Sequence, residues 1–222
     1  MNASTKPACL IIGAGPGIGQ AVAVAFAREG YNVALSARTA AKLKSLQAAV
    51  EKAGGRAQPY PCDAGDEAAL RAMISRVRQD LGDPDVLVYN AASAVTGKPT
   101  ALTPQRLAED FRVNVSGALA AAQEVAPAMK AKGRGTILLT GGSFAYEPAA
   151  NYASLSLGKA ALHNLTYSLA QELGGSGIHV ATVTVYGFVQ EGTHFDPARI
   201  AQAYMRLHKQ PPGHFQTEYI YK

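Results

Sequence analysis

The chain has 222 residues, 48% hydrophobic and 17% charged, enough to bury one sizeable core and too few for two separate ones. Its 22 glycines and 12 prolines are scattered without a repeat or a low-complexity tract, which excludes collagen-like, linker and disordered classes. The net charge of +5 is spread along presumptive helices, no paired Cys/His ligands accompany it, and no apolar run reaches the roughly 20 residues of a spanning helix, so neither nucleic acid nor a membrane is expected as a partner.

The start, Met1 to Pro7, leads into a short apolar run without a signal-peptide profile, and a cytoplasmic location is expected. Cys9 and Cys62 fall in two apparent strand segments. Two cysteines make neither a disulfide framework nor a four-cysteine zinc site, so reduced thiols in a core are the plainer reading.

Ala8 to Ile12 reads as a strand ending at glycine, and Gly17 to Gly30 carries Ile18, Val22, Ala25 and Phe26 at helical spacing. The alternation continues with a strand at Asn32 to Ser36, a helix at Ala40 to Ala53, a strand at Gln58 to Cys62 and a helix at Glu67 to Leu81. Asp85 to Asn90 is a fourth strand, Pro104 to Lys130 a long helical stretch, and Thr136 to Thr140 a fifth strand opened by the turn Gly133-Arg134-Gly135. Ala150 to Leu173 is helical, Ile178 to Val185 is a β-branched run, and a helix at about Pro197 to His208 and a strand at about Thr217 to Tyr221 close the chain. Strands apolar on both faces alternating with helices predict one domain over residues 1–222. Its fold class is α/β, a doubly wound and mainly parallel seven-stranded sheet with helices on both faces. Ligands of such sheets bind beyond the carboxyl ends of the strands where the order reverses, so the residues after strands one, four, five and six should converge.

Gly13, Gly15, Gly17 and Gly19, with Ile18 between the last two, sit where the first strand turns into a helix. Missing β-carbons there let backbone amides approach a pyrophosphate at the helix N-terminus, although any tight strand-to-helix turn also uses glycines. Some twenty residues on, where an NAD-binding chain places an acid for the ribose, stands Ala37-Arg38. A guanidinium can stack on adenine and pair with a 2′-phosphate, and no carboxylate is present to repel it. NADP(H) is therefore expected over NAD(H). The plain alternative is that Arg38 is a solvated turn residue, with Lys42 supplying the positive charge and Thr39 a hydroxyl to the same complement.

These residues and several separated motifs resemble the short-chain dehydrogenase/reductase family over essentially the whole chain, which implies a Rossmann fold binding a nicotinamide dinucleotide. Gly13-xxx-Gly17-x-Gly19 resembles the family's glycine signature, with Ile12 where threonine is usual, and Cys62-Asp63-Ala64 resembles its adenine-holding acidic element. Tyr89-Asn90-Ala91-Ala92 resembles the Asn-Asn-Ala-Gly element, differing at two positions. Asn114 resembles the family's helical asparagine of the proton relay, and Lys159-Ala160-Ala161-Leu162 resembles the segment carrying its lysine.

The departures concern the chemistry. The family's tyrosine, four residues before that lysine, is here Leu155, which can neither donate nor accept a proton. The family's serine falls on Gly142, with Ser143 one position later, and a one-residue loop shift would bring Ser143 into place. Tyr152 is the candidate substitute acid/base, on nearly the helical face of Lys159 but about 10 Å along the axis instead of about 6 Å. Its alternative is a packing or substrate-lining residue. Tyr186 is a second candidate, since Tyr186-Gly187-Phe188-Val189 resembles the family's Pro-Gly element, in which Gly187 and Val189 would touch the cofactor. Glu191 stands where a threonine often grips the cofactor, and Thr193 follows.

His163, His179, His194, His208 and His214 show no metal-ligand spacing and no acidic partner motif, so no metal is expected. Residues 187–214 are read as a substrate-covering segment, with His194 and Phe195 in it and Pro211-Pro212 stiffening its return.

Two functions remain open. One is an NADP(H)-dependent oxidoreductase acting on a small carbonyl or alcohol, with Asn114, Ser143, Tyr152 and Lys159 as an altered catalytic set. The other is a dinucleotide-binding protein without turnover, a cofactor sensor or scaffold. The resemblance also implies a homodimer or homotetramer.

Overall fold

The computed structural model describes residues 6–222, so the reading of the chain start lies, as far as residue 5, outside the described residues. The elements in chain order are β1 (Ala8–Ile12), α1 (Ile18–Arg28), β2 (Asn32–Ala37), α2 (Ala40–Lys52), β3 (Arg56–Pro61), α3 (Glu67–Leu81), β4 (Val86–Tyr89), α4 (Pro104–Phe111), α5 (Gly117–Lys132), β5 (Gly135–Gly142), α6 (Ala153–Leu173), β6 (Ile178–Val185), α7 (Pro197–His208) and β7 (Glu218–Tyr221). The strands form one sheet in the order β3-β2-β1-β4-β5-β6-β7, every pair parallel. The order reverses between β1 and β4, and this places the ligand crevice at their carboxyl ends.

The two-residue period of the strands divides the core. Cys9 and Ile11 of β1 and Val86 and Val88 of β4 face a layer containing Phe26 of α1, Leu43 of α2 and Tyr204 of α7. Leu10, Ile12, Leu87 and Tyr89 face the opposite layer, with Leu70 of α3, Ala121 of α5 and Leu162 of α6. Each fully buried leucine or phenylalanine contributes about 1.5–3 kcal/mol, and with both sheet faces covered β1, β4 and β6 are buried along their whole length. Local signals fix the helix starts. Asp66 Oδ1 accepts from the amide of Ala69, Thr103 Oγ1 from that of Arg106 and Asp196 Oδ1 from that of Ala198.

The long helix read from Pro104 to Lys130 is two helices joined by a π-helical turn at Arg112–Ser116. The phenol of Tyr89, at the end of β4, donates to the Val113 carbonyl at 2.5 Å and so takes an acceptor out of the helical ladder. The helix read from Ala150 begins at Ala153 instead. Asn151 O accepts from the Gly97 amide at 2.8 Å and Ala153 N donates to Gly97 O at 3.2 Å, a backbone pairing that holds this stretch extended. Tyr152 therefore caps α6 with φ −128° and ψ 43°, outside the helix in which its spacing from Lys159 was reckoned. The third strand starts two residues earlier than read and ends at Pro61, leaving Cys62 partly buried just beyond it.

Candidate active site

The glycine turn is held from behind. Gly13 and Ala14 donate their amides to Ser36 O at 2.8 and 2.9 Å, and Asn90 Nδ2 donates to Gly13 O at 2.9 Å. At φ +87° Gly13 lies against the backbone of Asn90 and Ala91, where a Cβ would overlap Ala91, so the close approach of β1 and β4 requires glycine. Asn90 Oδ1 accepts from Thr140 Oγ1 at 2.9 Å, and Thr140 Oγ1 lies 2.6 Å from the Tyr204 hydroxyl. Since the Thr140 proton is committed to Asn90, Tyr204 is the donor of that second bond. A hydroxyl chain thus ties α7 through β5 and β4 to the glycine turn.

In front of the turn lies a cavity of about 580 Å³. Gly13 to Pro16 line it, together with Arg38, Thr39 and Lys42 after β2, Asp63 and Ala64 after β3, and Asn90 and Ala91 after β4. Seven of the sequence-nominated residues, Gly13, Gly15, Arg38, Asp63, Ala64, Asn90 and Ala91, therefore meet on one wall system. Arg38 is exposed and the chain leaving β2 carries no acid, while Asp63 and Asp66, after the neighbouring β3, line the same cavity. No side chain caps α1, whose first turn at Ile18 and Gly19 faces forward from the glycine turn, and such a helix start suits a phosphate. Gly17 and Glu191 line a neighbouring groove between α1 and α7, and a Cβ on Gly17 would lie 3.9 Å from Val189 Cγ1, so the segment after β6 folds over the turn. Gly187 packs directly under the ring of Phe195. The residues present fit a dinucleotide: backbone at the centre, cations at one end, and glycines where a Cβ would close the cradle.

Asn114, in the π-helical turn, is buried; its Oδ1 accepts from the Ser93 amide at 2.7 Å and its Nδ2 donates to the Ser93 carbonyl at 3.2 Å. Gly158 lies so close that a Cβ there would stand 2.8 Å from Asn114 Cβ. One residue on, Lys159 reaches past the sheet end and donates from Nζ to Thr140 O at 2.6 Å. The side chain is half-buried, and desolvation of the ammonium pushes its pKa down to about 8. Asn114 thus packs against Gly158, the residue before Lys159 on α6.

The serine and tyrosine candidates make no hydrogen bond to Asn114 or Lys159 among the described residues. Gly142 is the residue that faces the Lys159 stem, where a Cβ would lie 3.7 Å from Cε, while Ser143 opens the following 3-10 turn. Tyr152 stacks on Phe144 with ring centres 5.7 Å apart, and among the described residues no hydrogen bond joins it to Lys159. Leu155, one turn before Lys159, presents hydrocarbon there.

Sequence reasoning missed three features. The first is the Thr140 hydroxyl chain. The second is Asp110, 1% exposed, whose Oδ1 accepts from Ser93 Oγ and Arg106 Nη2, both at 2.5 Å. Burial alone would raise its pKa, but Arg106, Ser93 and Ser154 outweigh burial and hold it below the ordinary value. The third is a cluster around one of the histidines. His163 has an acidic partner, Glu218, at 3.4 Å, and the Tyr146 hydroxyl lies 2.6 Å from His163 Nε2 and donates to Glu218 Oε2 at 2.7 Å. No spacing signal could reveal it, since His163 and Glu218 meet only through the α6–β7 packing.

The short chain dehydrogenase family model matches residues 7–196, and the chain belongs to that family. It is 30% identical over 174 residues to the probable oxidoreductase EphD of Mycobacterium tuberculosis, covering 78% of this chain but only 29% of that longer protein. A metagenomic short-chain oxidoreductase solved in complex with NADP superposes with a TM-score of 0.89 at 30% identity, over 96% of both chains. An NADH-dependent reductase complexed with NAD shares the fold, with a TM-score of 0.87 at 21% identity over 97% of this chain and 94% of that one.

Proposed function

We propose that the chain is an NADP(H)-dependent oxidoreductase transferring hydride between the nicotinamide and a small carbonyl or alcohol. The observation that carries the cofactor choice is the cationic end of the cavity, where Arg38 and Lys42 line the wall beyond β2. In this reading Arg38 pairs with the 2′-phosphate, Asp63 and Ala64 border the adenine, and the turn from Gly13 to Gly19 takes the pyrophosphate. Gly187 and Val189 close over the nicotinamide half, and Lys159 grips its ribose. The similarity to an oxidoreductase complexed with NADP agrees with this assignment, but a reductase of the same fold is complexed with NAD, so the choice of NADP(H) over NAD(H) rests on Arg38 and Lys42.

Bound NADP(H) supplies the hydride. The protein must then polarise the substrate oxygen and move one proton. Lys159, with a pKa near 8, holds a proton at neutral pH and is poised to release it, while Asn114 fixes the turn beside it. With Leu155 unable to act, Ser143 and Tyr152 are the hydroxyls we assign to substrate polarisation, in a catalytic set altered from the family's. The chain is expected to work in the cytoplasm as a homodimer or homotetramer joined through α4–α5 and α6; light scattering at micromolar concentration tests the assembly, and a monomer contradicts it. No helix among the described residues is long and apolar enough to cross a membrane.

A panel of small carbonyls with NADPH and alcohols with NADP+ tests the activity. Turnover that falls in Tyr152→Phe and Lys159→Ala is expected, whereas uniform inactivity with tight cofactor binding overturns the enzyme reading and leaves a dinucleotide-binding protein.

A further inference from the structure

A second cavity, of about 260 Å³, lies between the chain from Val95 to Thr103, α4 and the start of α6. It shares Arg106 and Asp110 with the cofactor cavity. Three residues on its wall each carry a buried polar atom without a hydrogen-bond partner: Arg106 Nε, Asp110 Oδ2 and Ser154 Oγ. Asp110 is 1% exposed and Ser154 4%, so neither is served by bulk water. Asp110 Oδ1 already has two donors, while Ser154 stands close enough to lower the Asp110 pKa without completing a hydrogen bond to Oδ2, which keeps its acceptor capacity. Buried polar groups in native proteins are satisfied almost without exception, and three such atoms on one wall mark a place where something polar is taken up.

The wall chemistry restricts the occupant. Arg106 and Asp110 neutralise one another at 2.5 Å, so a charged ligand would find no counter-charge. Arg106 Nε needs an acceptor, Asp110 Oδ2 needs a donor, and Ser154 serves as either. Val95, Ala101 and Leu102 supply the apolar remainder. We propose that this cavity is a subsite for a small neutral group carrying a donor and an acceptor close together, a pair of hydroxyls or a primary amide. The group is either an arm of the substrate, which rests on the oxidoreductase reading, or a separate small molecule, which does not.

Glycerol and acetamide, titrated into the 15N-labelled protein and followed by amide shifts with and without saturating NADP+, test the proposal. Saturable shifts confined to residues 93–110 and 152–155 are expected, with affinity about three- to tenfold weaker in Asp110→Asn and Ser154→Val, the loss that goes with one hydrogen bond. Where Asp110→Asn fails to fold, Ser154→Val, which fills the same space, carries the test. Persistence of the shifts with NADP+ bound, together with inhibition competitive against the carbonyl, identifies a substrate arm. Persistence without any effect on turnover identifies a separate ligand. Absence of saturable shifts, displacement of the probes by NADP+, or soaked crystals showing only water at Asp110 and Ser154 overturns the subsite. Inactivity on every carbonyl would sink the oxidoreductase reading and leave the probe titration standing.

Discussion

Lys159 donates from Nζ to the main-chain carbonyl of Thr140 across 2.6 Å, and the hydroxyl of the same threonine donates to Asn90. One residue at the end of β5 therefore fixes both the buried ammonium and the asparagine behind the glycine turn. The lysine and the cofactor cradle share a support, and disturbing Thr140 or Lys159 should be felt at both.

The affinity for NADP+ should depend on the protonation of Lys159. Desolvation lowers its pKa from 10.5 to about 8, so the ammonium that attracts the anionic cofactor is lost as pH rises through that value. Calorimetric titrations between pH 7 and 9.5 should show weakening binding in the wild type and a flatter profile in Lys159→Met. Stability has its own sign. Between about 8 and 10.5 the unfolded chain holds a proton that the folded one lacks, so this residue makes the fold gain stability with rising pH across that window.

Arg38→Ala should weaken NADP+ binding by roughly ten- to a hundredfold, the range for losing a charge-assisted hydrogen bond, and leave NAD+ binding nearly unchanged. Equal losses for both cofactors would place Arg38 under the adenine and away from the phosphate.

Thr140→Val should cost about 1–3 kcal/mol in urea unfolding, because it leaves Asn90 Oδ1 and the buried Tyr204 hydroxyl without their partner. Tyr204→Phe should cost less, since Thr140 keeps its acceptor in Asn90. The opposite ranking would mean that the hydroxyl chain does not run in the direction drawn.

Acid should destabilise the fold through two histidines at the other end of the sheet. Burial lowers the pKa values of His179 and His208 below the ordinary 6.5, so each takes up its proton at a lower pH in the native state than in the unfolded chain. A depressed histidine pKa means that the unfolded chain takes up protons first, so stability is fully present above about 6.5 and declines as pH falls below it. His208 Nε2 is 2.8 Å from the Tyr31 hydroxyl and Nδ1 is 3.0 Å from Thr136 Oγ1, so His208→Gln should flatten the acid limb of a urea-midpoint profile from pH 7.5 to 5.

The strands and the cofactor cradle were legible because their signals are local. A β-branched run such as Ile178–Val185 is bounded by glycine, and Gly13 to Gly19 with Arg38 lie within one βαβ unit. The missed features join distant residues. Tyr146 meets Glu218 across 72 positions and Ser93 meets Asp110 across 17, separations at which periodicity carries no information. Tyr152 was placed on the helical face of Lys159 because helical spacing ignores competing backbone pairing, and it is Gly97 that keeps this residue out of the helix. The π-helical turn at Asn114 escaped for the same reason, since the tyrosine that stabilises it ends a different element.

Direct calorimetric titration of the purified chain with NADP+ and, separately, NAD+ at neutral pH tests the cofactor assignment most directly. Saturable binding with NADP+ clearly the tighter ligand is the expected result. Tighter binding of NAD+, or no heat with either dinucleotide, contradicts it.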